Sequence, residues 1–262
     1  MSIEITSLKN PRIKFLTSLQ NAKERKTSGL FVIEGIREIS LAAASGYEIT
    51  TLVVCDELYQ PDNNYLVSFD VPEVLEVPEL VFSKIAYRES TGGLIAIAKM
   101  KPVKLDDLKT SEGSLFLILE KIEKPGNLGA MLRTADAAGL SGVIIADPAT
   151  DIYNPNVVRS SIGCLFTVPV GVAQNDEVLN WCKKNQIKTF AASLEASVDY
   201  TSIDFKSSSA IVLGSESDGL SKFWLSNSDG RIVIPMRGKI DSMNVSNAAA
   251  IIIFEALRQR SL

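Results

Sequence analysis

The chain of 262 residues contains no histidine. That absence removes every serine–histidine and cysteine–histidine couple and every histidine-ligated metal, so a general base would have to be Asp, Glu, Lys, Tyr or something less usual. Cysteine is scarce: Cys55, Cys164 and Cys182 are odd in number and far apart, which fits neither a disulfide framework nor a zinc spacing and reads as buried, inert thiols. No apolar run approaches the roughly 20 residues of a spanning helix. The start, Met1-Ser2-Ile3-Glu4, has no apolar core of signal-peptide length. These absences lead to the expectation of a cytoplasmic protein with no membrane partner. A large excess of charge is missing as well: the formal net charge of -4 does not announce nucleic-acid binding, although the distribution of charge matters more than its sum.

What is present is an ordinary globular composition, 46% hydrophobic, in a chain long enough for one large domain or two small ones. Residues 1–101 read as a small α/β unit. An amphipathic helix is expected over 10–21, with Ile13, Leu16 and Leu19 on one side. A strand follows at 29–34, then a helix at 36–44 stopped by Gly46, a buried strand at 50–55, a loop at 60–64, a short helix at 80–85 and a strand at 93–98. The clearest charge asymmetry lies at the start of this unit. Lys9, Arg12, Lys14, Lys23, Arg25 and Lys26 are opposed only by Glu24. Alone, such a cluster is either a solvated helix face or a phosphate-contacting surface.

Residues 102–114 are polar, with Pro102 and Gly113, and read as an interdomain linker. Over 115–262 strand and helix alternate: 115–119, 128–138, 142–146, 156–162, 166–170, 177–185, 189–192 and 210–213, then a strand at 231–234 and a helix at 248–257. Continuous apolar strands between helices imply a parallel sheet covered on both faces.

Three strand ends carry unusual loops. Glu120 to Gly129 runs into a helix bearing Arg133; if Asn127 caps that helix, Arg133 lies between one and two turns in, and the helix start could hold an anion. Gly214-Ser215-Glu216-Ser217-Asp218-Gly219 sets a carboxylate between two glycines that let a backbone approach a flat ligand. Residues 234–247 join the last strand to the last helix through a proline, a glycine, serines and asparagines. None is a Walker loop, and Gly214 to Gly219 is not the dinucleotide fingerprint. Singly, each has a purely structural reading: Asn127 as a cap, the glycines as turn formers, Ser242 and Asn244 as caps. Three such loops at the strand ends of one sheet point instead to a ligand.

Together these segments resemble the SpoU (TrmH) family of RNA 2′-O-ribose methyltransferases, of the SPOUT class. Asn127-x-Gly129-x-x-x-Arg133 resembles the family's first motif, Gly214-x-Glu216-x-x-Gly219 its second, and Ile234-Pro235-Met236 through Ser242-Met243-Asn244-Val245 to Glu255 its third. The stretch 151–163 and Phe31-Val32-Ile33-Glu34-Gly35 also have the family's look, the latter resembling its ribosomal-protein-like RNA-binding domain. Met243 stands where leucine is usual and Asn247 where a small apolar residue is usual; residues 196–209 match no motif.

The resemblance implies an α/β fold whose parallel sheet ends in a C-terminal trefoil knot, behind a small N-terminal α/β RNA-binding domain. It implies S-adenosylmethionine held in the knot by Gly214, Ile234 and Met243, with Met236 and Ser193, and no metal. The reaction it implies is in-line methyl transfer to a ribose 2′-oxygen. Arg133 would lie nearest that hydroxyl; because arginine essentially never deprotonates, stabilising the developing alkoxide suits it better than accepting the proton. Asn127 would position Arg133 or a phosphate, and Glu216 and Asn244 would hold substrate or orient the arginine, with Ser242 nearby. The cations from Lys9 to Lys26 would then contact RNA. A homodimer through the knotted domain is implied, with Asn127 or Arg133 approaching the partner's cofactor site. Ribosomal RNA is the expected substrate. Transfer RNA and a non-catalytic RNA-binding assembly role are the alternatives, the second opposed by the intact Asn127, Arg133, Glu216, Ser242 and Asn244.

Overall fold

The structure, a computed structural model, describes residues 2–59, 71–87, 92–196 and 198–261, so the loop expected at 60–64 lies outside the described residues. The chain forms two compact units: Met1–Pro102 with Asp151–Thr167, and Val103–Thr150 with Val168–Leu262. Among the described residues no helix is long and apolar enough to cross a membrane.

The first unit is built from β1 (Ser2–Glu4), α1 (Pro11–Ser18), α2 (Ala22–Ser28), β2 (Leu30–Glu34), α3 (Ile36–Ala44), β3 (Ile49–Val54), β4 (Glu73–Glu76), α4 (Glu79–Ile85) and β5 (Leu94–Lys99). Its five strands run in the order β1-β4-β3-β5-β2, with β4 parallel to β1 and β3, and β5 antiparallel to β2 and β3. Ile13, Leu16 and Leu19 are buried against Val32, Val53, Leu75 and Phe82, as their spacing predicts. The single helix expected over 10–21 is two. Asn10 accepts from the Arg12 N–H and Asn21 from the Lys23 N–H, both at 2.9 Å, so each asparagine starts its own helix.

The second unit begins with β6 (Leu115–Glu120), α5 (Pro125–Ala138) and β7 (Gly142–Ala146). The chain then gives α6 (Pro155–Ser160) and α7 (Cys164–Thr167) to the first unit, where Tyr153 stacks on Phe31 at 4.5 Å and Phe166 meets Tyr47 edge-on at 5.0 Å. It completes the second unit with β8 (Val170–Ala173), α8 (Asn175–Lys184), β9 (Lys188–Ala192), β10 (Val198–Asp199), β11 (Ser209–Leu213), α9 (Lys222–Asn227), β12 (Gly230–Val233) and α10 (Val245–Arg260). The strand expected at 166–170 lies later, because Phe166 is helical and the ladder to β7 opens at the Pro169 carbonyl, which accepts from the Val143 N–H at 2.9 Å.

All pairs in this seven-stranded sheet are parallel, in the order β10-β12-β9-β11-β6-β7-β8. Every residue of β6, β7 and β11 is buried, which accounts for their unbroken apolar runs. Residues 103–108, within the stretch read as a linker, pack on this unit. Val103 accepts from the Val172 N–H along the edge of β8, and Leu105 and Leu108 fill space left by the missing side chains of Gly142 and Gly171. Residues 196–209, which matched no motif, supply the edge strand β10 and the buried Phe205. The Phe205 N–H donates to Gln259 Oε1 at 3.0 Å and its carbonyl accepts from Arg260 Nε at 2.8 Å, so they fasten the end of α10.

β6 has β7 on one side and β11 on the other. The chain builds outward from β6 in one direction and returns later to build in the other. The carboxyl edge at such a reversal is open, because successive loops leave it in opposite directions.

Candidate active site

The loops that follow β6, β9, β11 and β12 enclose one cavity of about 610 Å³ at that edge. Its lining includes Asn127 from the first loop, Ser193 from the second, Gly214 and Glu216 from the third, and Ile234, Met236, Ser242, Met243 and Asn244 from the fourth. Nine of the ten residues expected to hold cofactor or perform chemistry therefore share one wall. The tenth, Arg133, is exposed on α5 and does not line it.

Two departures at the first loop have one cause. Pro125 fixes its own φ and starts α5 two residues before Asn127. Asn127 is thus the third residue of the helix rather than its cap, and Arg133 is the ninth, more than two turns in. Freed from capping, the Asn127 amide donates to Glu216 Oε1 at 2.5 Å and its carbonyl oxygen accepts from Asn244 Nδ2 at 3.2 Å. Asn244 caps α10: its Oδ1 accepts from the Ser246 N–H at 2.9 Å and the Ser246 hydroxyl at 2.6 Å. The cap decides which end of the Asn244 amide faces Asn127, and that decides which end of Asn127 faces Glu216. A directed chain of hydrogen bonds thus joins the start of the last helix, through the first loop, to the carboxylate of the third. Burial pushes the Glu216 carboxyl up, but donation from the Asn127 amide and from the backbone N–H groups of Glu216, Glu123 and Lys124 outweighs it and holds the carboxyl below its usual range. Glu216 is an anion and an acceptor at neutral pH.

The third loop is folded tightly on itself. Ser215 and Gly219 exchange backbone hydrogen bonds at 3.1 Å, and Gly219 takes φ +68°, a left-handed conformation that glycine adopts freely. A Cβ on Gly214 would overlap the Gly219 carbonyl and the Leu220 nitrogen, so only glycine fits there. The loop is anchored from below by a buried carboxylate that the motifs did not single out. Glu120 ends β6 at 1% exposure and accepts from the Ser221 N–H (2.8 Å), the Ser221 hydroxyl (2.6 Å) and Asn175 Nδ2 (2.7 Å). The Asn175 carbonyl oxygen in turn accepts from the Trp224 indole at 2.7 Å.

The cavity has the chemistry of an amphipathic nucleoside site. Leu213, Leu220, Leu225, Ile234 and Met243 supply apolar surface, the glycine-rich loop exposes backbone, and Glu195, Glu216, Asp218 and Asp241 supply negative charge. A flat adenine, a ribose and a sulfonium-bearing methionyl tail fit that set. Leu194, Glu195, Asp218 and Asp241 were not picked out from the sequence; the available signal was their position immediately beside Ser193, Ser217 and Ser242 on the same loops.

In the first unit Lys9, Arg12, Lys14, Lys23 and Lys26 are exposed, with Arg12 in an ion pair to Glu73 at 3.0 Å. Arg25 is not part of that surface. Its side chain is 1% exposed, pairs with Asp151 at 2.7 Å and donates to the Leu19 and Gln20 carbonyls at 2.8 Å each. It closes the turn between α1 and α2 and holds residue 151 to them, and its burial withdraws it from any RNA-facing surface.

A model of the SpoU rRNA Methylase family matches residues 114–254, and one of an MRM3-like substrate binding domain matches residues 10–96. The 23S rRNA (uridine(2479)-2′-O)-methyltransferase of Streptomyces viridochromogenes is 32% identical over 250 residues, covering 92% of this chain and 87% of that protein. Among solved structures, an RNA 2′-O ribose methyltransferase aligns with a TM-score of 0.87 at 39% identity, covering 99% of this chain and 100% of that one. An AdoMet-bound rRNA methyltransferase from Sinorhizobium meliloti aligns with a TM-score of 0.89 at 32% identity, covering 98% of each chain.

Proposed function

The chain belongs to the SpoU rRNA Methylase family, and from that premise we propose that it methylates a ribose 2′-hydroxyl of ribosomal RNA with S-adenosylmethionine as donor. The observation that carries the reading is the convergence of four strand-end loops on one cavity, tied together by the Asn244–Asn127–Glu216 hydrogen bonds. Ribosomal RNA is favoured over transfer RNA because the Streptomyces relative, matched along most of both chains, is named for 23S rRNA.

When bound, the cofactor supplies a methyl group on a sulfonium, a leaving group that needs no metal or acid to activate it. The chain's own residues have three tasks. Gly214, Ile234, Met236, Met243 and Ser193 hold the donor, largely through backbone and apolar contact. Asn127, Glu216 and Asn244 keep their loops in register so that the acceptor oxygen is aligned, with Ser242 at the rim. Arg133, permanently cationic, stabilises negative charge that develops on the ribose oxygen as the oxygen takes the methyl group, the sulfonium becomes a neutral thioether and the hydroxyl proton passes to solvent water. Residues 1–101 act as the RNA-binding domain, of ribosomal-protein type, through Lys9, Arg12, Lys14, Lys23 and Lys26, and 115–262, apart from the 151–167 segment that packs in the first unit, as the methyltransferase domain. The reading includes the trefoil knot, with residues 234–244 passing through it; family membership supports this, as does the way that segment lines the same cavity as 192–195 and 213–220.

It also includes a homodimer. α10 carries Phe254 at 50% exposure and packs on α5, the helix that bears Arg133. Because Arg133 stands outside its own chain's cavity, we assign it to the ribose bound by the partner.

Incubating the purified chain with radiolabelled donor and either ribosomal or transfer RNA tests the function directly. Label is expected in a ribose of ribosomal RNA. Arg133→Ala is expected to lower transfer by roughly a hundredfold or more while calorimetry shows unchanged donor affinity. A folded chain that releases no heat with the donor, or an Arg133→Ala variant as active as the parent, sinks the reading.

A further inference from the structure

The cavity wall holds four carboxylates, Glu195, Glu216, Asp218 and Asp241, against one ammonium, Lys124. That imbalance suits a donor bearing a sulfonium and an ammonium. It opposes the other reactant, because a ribose within an RNA strand arrives with a phosphate on either side. A catalytic unit that accepts such a ribose needs cations close to the opening and not committed elsewhere.

The fourth loop carries two. Arg237 and Lys239 are both exposed and lie between Met236 and Asp241, which line the cavity. Among the described residues neither enters an ion pair or a side-chain hydrogen bond. Asp199 feels the charge of Arg237, but its carboxylate is turned to the Thr201 N–H and hydroxyl at 2.9 and 2.8 Å. A guanidinium and an ammonium two residues apart on a rim segment can each meet one phosphate.

We propose that Arg237 and Lys239 form a phosphate-contacting pair on the catalytic unit, which seats the two phosphates flanking the target ribose and offsets the acidic wall. This rests on the 2′-O-methyltransferase reading. It is separate from the cations of the first unit: those hold the RNA at large, whereas this pair sets the local register of the strand at the cavity.

The test is the double variant R237Q/K239Q in the full-length chain, beside the charge-keeping swap R237K/K239R. Donor affinity is measured by calorimetry, and methyl transfer to ribosomal RNA over a series of potassium chloride concentrations. The glutamine variant is expected to bind donor as the parent does. Its RNA KM rises roughly tenfold near physiological salt, and the slope of log kcat/KM against log salt becomes shallower by about 1.4, at about 0.7 for each lost contact. The swap keeps the parent's slope. A glutamine variant that folds, binds donor and shows the parent's KM and slope overturns the proposal while leaving the function intact. A parent chain that binds donor and methylates no RNA overturns both.

Discussion

Asn127 uses both ends of its amide, and Glu216 depends on it. With the amide removed, as in Asn127→Ala, burial acts on the Glu216 carboxyl with its main opponent gone, and the carboxyl titrates at a higher pH. A carboxyl held low in the folded chain favours folding above its unfolded pKa and loses that benefit as pH falls through its folded value. The variant should therefore lose activity earlier on acidification. The acid limb of its pH–rate profile is expected to move upward, with kcat/KM at neutral pH down by roughly tenfold to a hundredfold; an unmoved limb would separate Glu216 from the chemistry. Asn127 and Glu216 were each legible in the sequence as part of a motif, but their pairing was not, since they lie 89 residues apart. Arg25 shows the same limit more sharply. In a run of six cations nothing local marks the one whose counter-ion, Asp151, is 126 residues distant, and burial follows from that pairing.

At the scale of elements, the loop after β11 is held closed by the want of a single atom. Gly214→Ala would set a Cβ into the backbone of Gly219 and Leu220, so the loop must open, and calorimetry is expected to show loss of donor binding. Gly126, in the first turn of α5, is the control: a Cβ there meets nothing within 4 Å. Gly126→Ala should keep donor affinity and raise stability by about 0.5–1 kcal/mol in denaturant unfolding, by restricting the unfolded chain. β6, β7 and β11 were legible because strands buried on both faces are apolar over nearly their whole length. β1 and β4 were not: Ser2–Glu4 and Glu73–Glu76 are three and four residues long, the first ending and the second both beginning and ending in glutamate, and they exist as strands because each pairs with a neighbour remote in sequence. The division between α1 and α2 was hidden because the apolar spacing of Ile13, Leu16 and Leu19 runs on past the end of α1.

Across the whole molecule, the assignment of Arg133 to the partner's cavity has an arithmetic consequence. Arg133→Ala and Glu216→Ala chains, each inactive alone, should regain activity when unfolded and refolded together. Half of the dimers are then mixed and each mixed dimer has one intact composite site, so methyl transfer returns to about a quarter of the parent's rate. A site complete within one chain would give no recovery. The alternation of strand and helix in the second half announced the parallel sheet, and the three strand-end motifs announced loops that line one cavity. What pattern could not announce is the path of the backbone between the units, which is crossed at 102–103, 150–151 and 167–168. A gene fragment beginning at residue 103 would carry off α6 and α7 without the sheet and helices they rest on, baring Tyr153, Val157 and Phe166 to water. No single scissile point divides this molecule into working halves. A free-standing catalytic fragment has to surrender 151–167 along with 1–102, its cut ends at 150 and 168 spliced directly together.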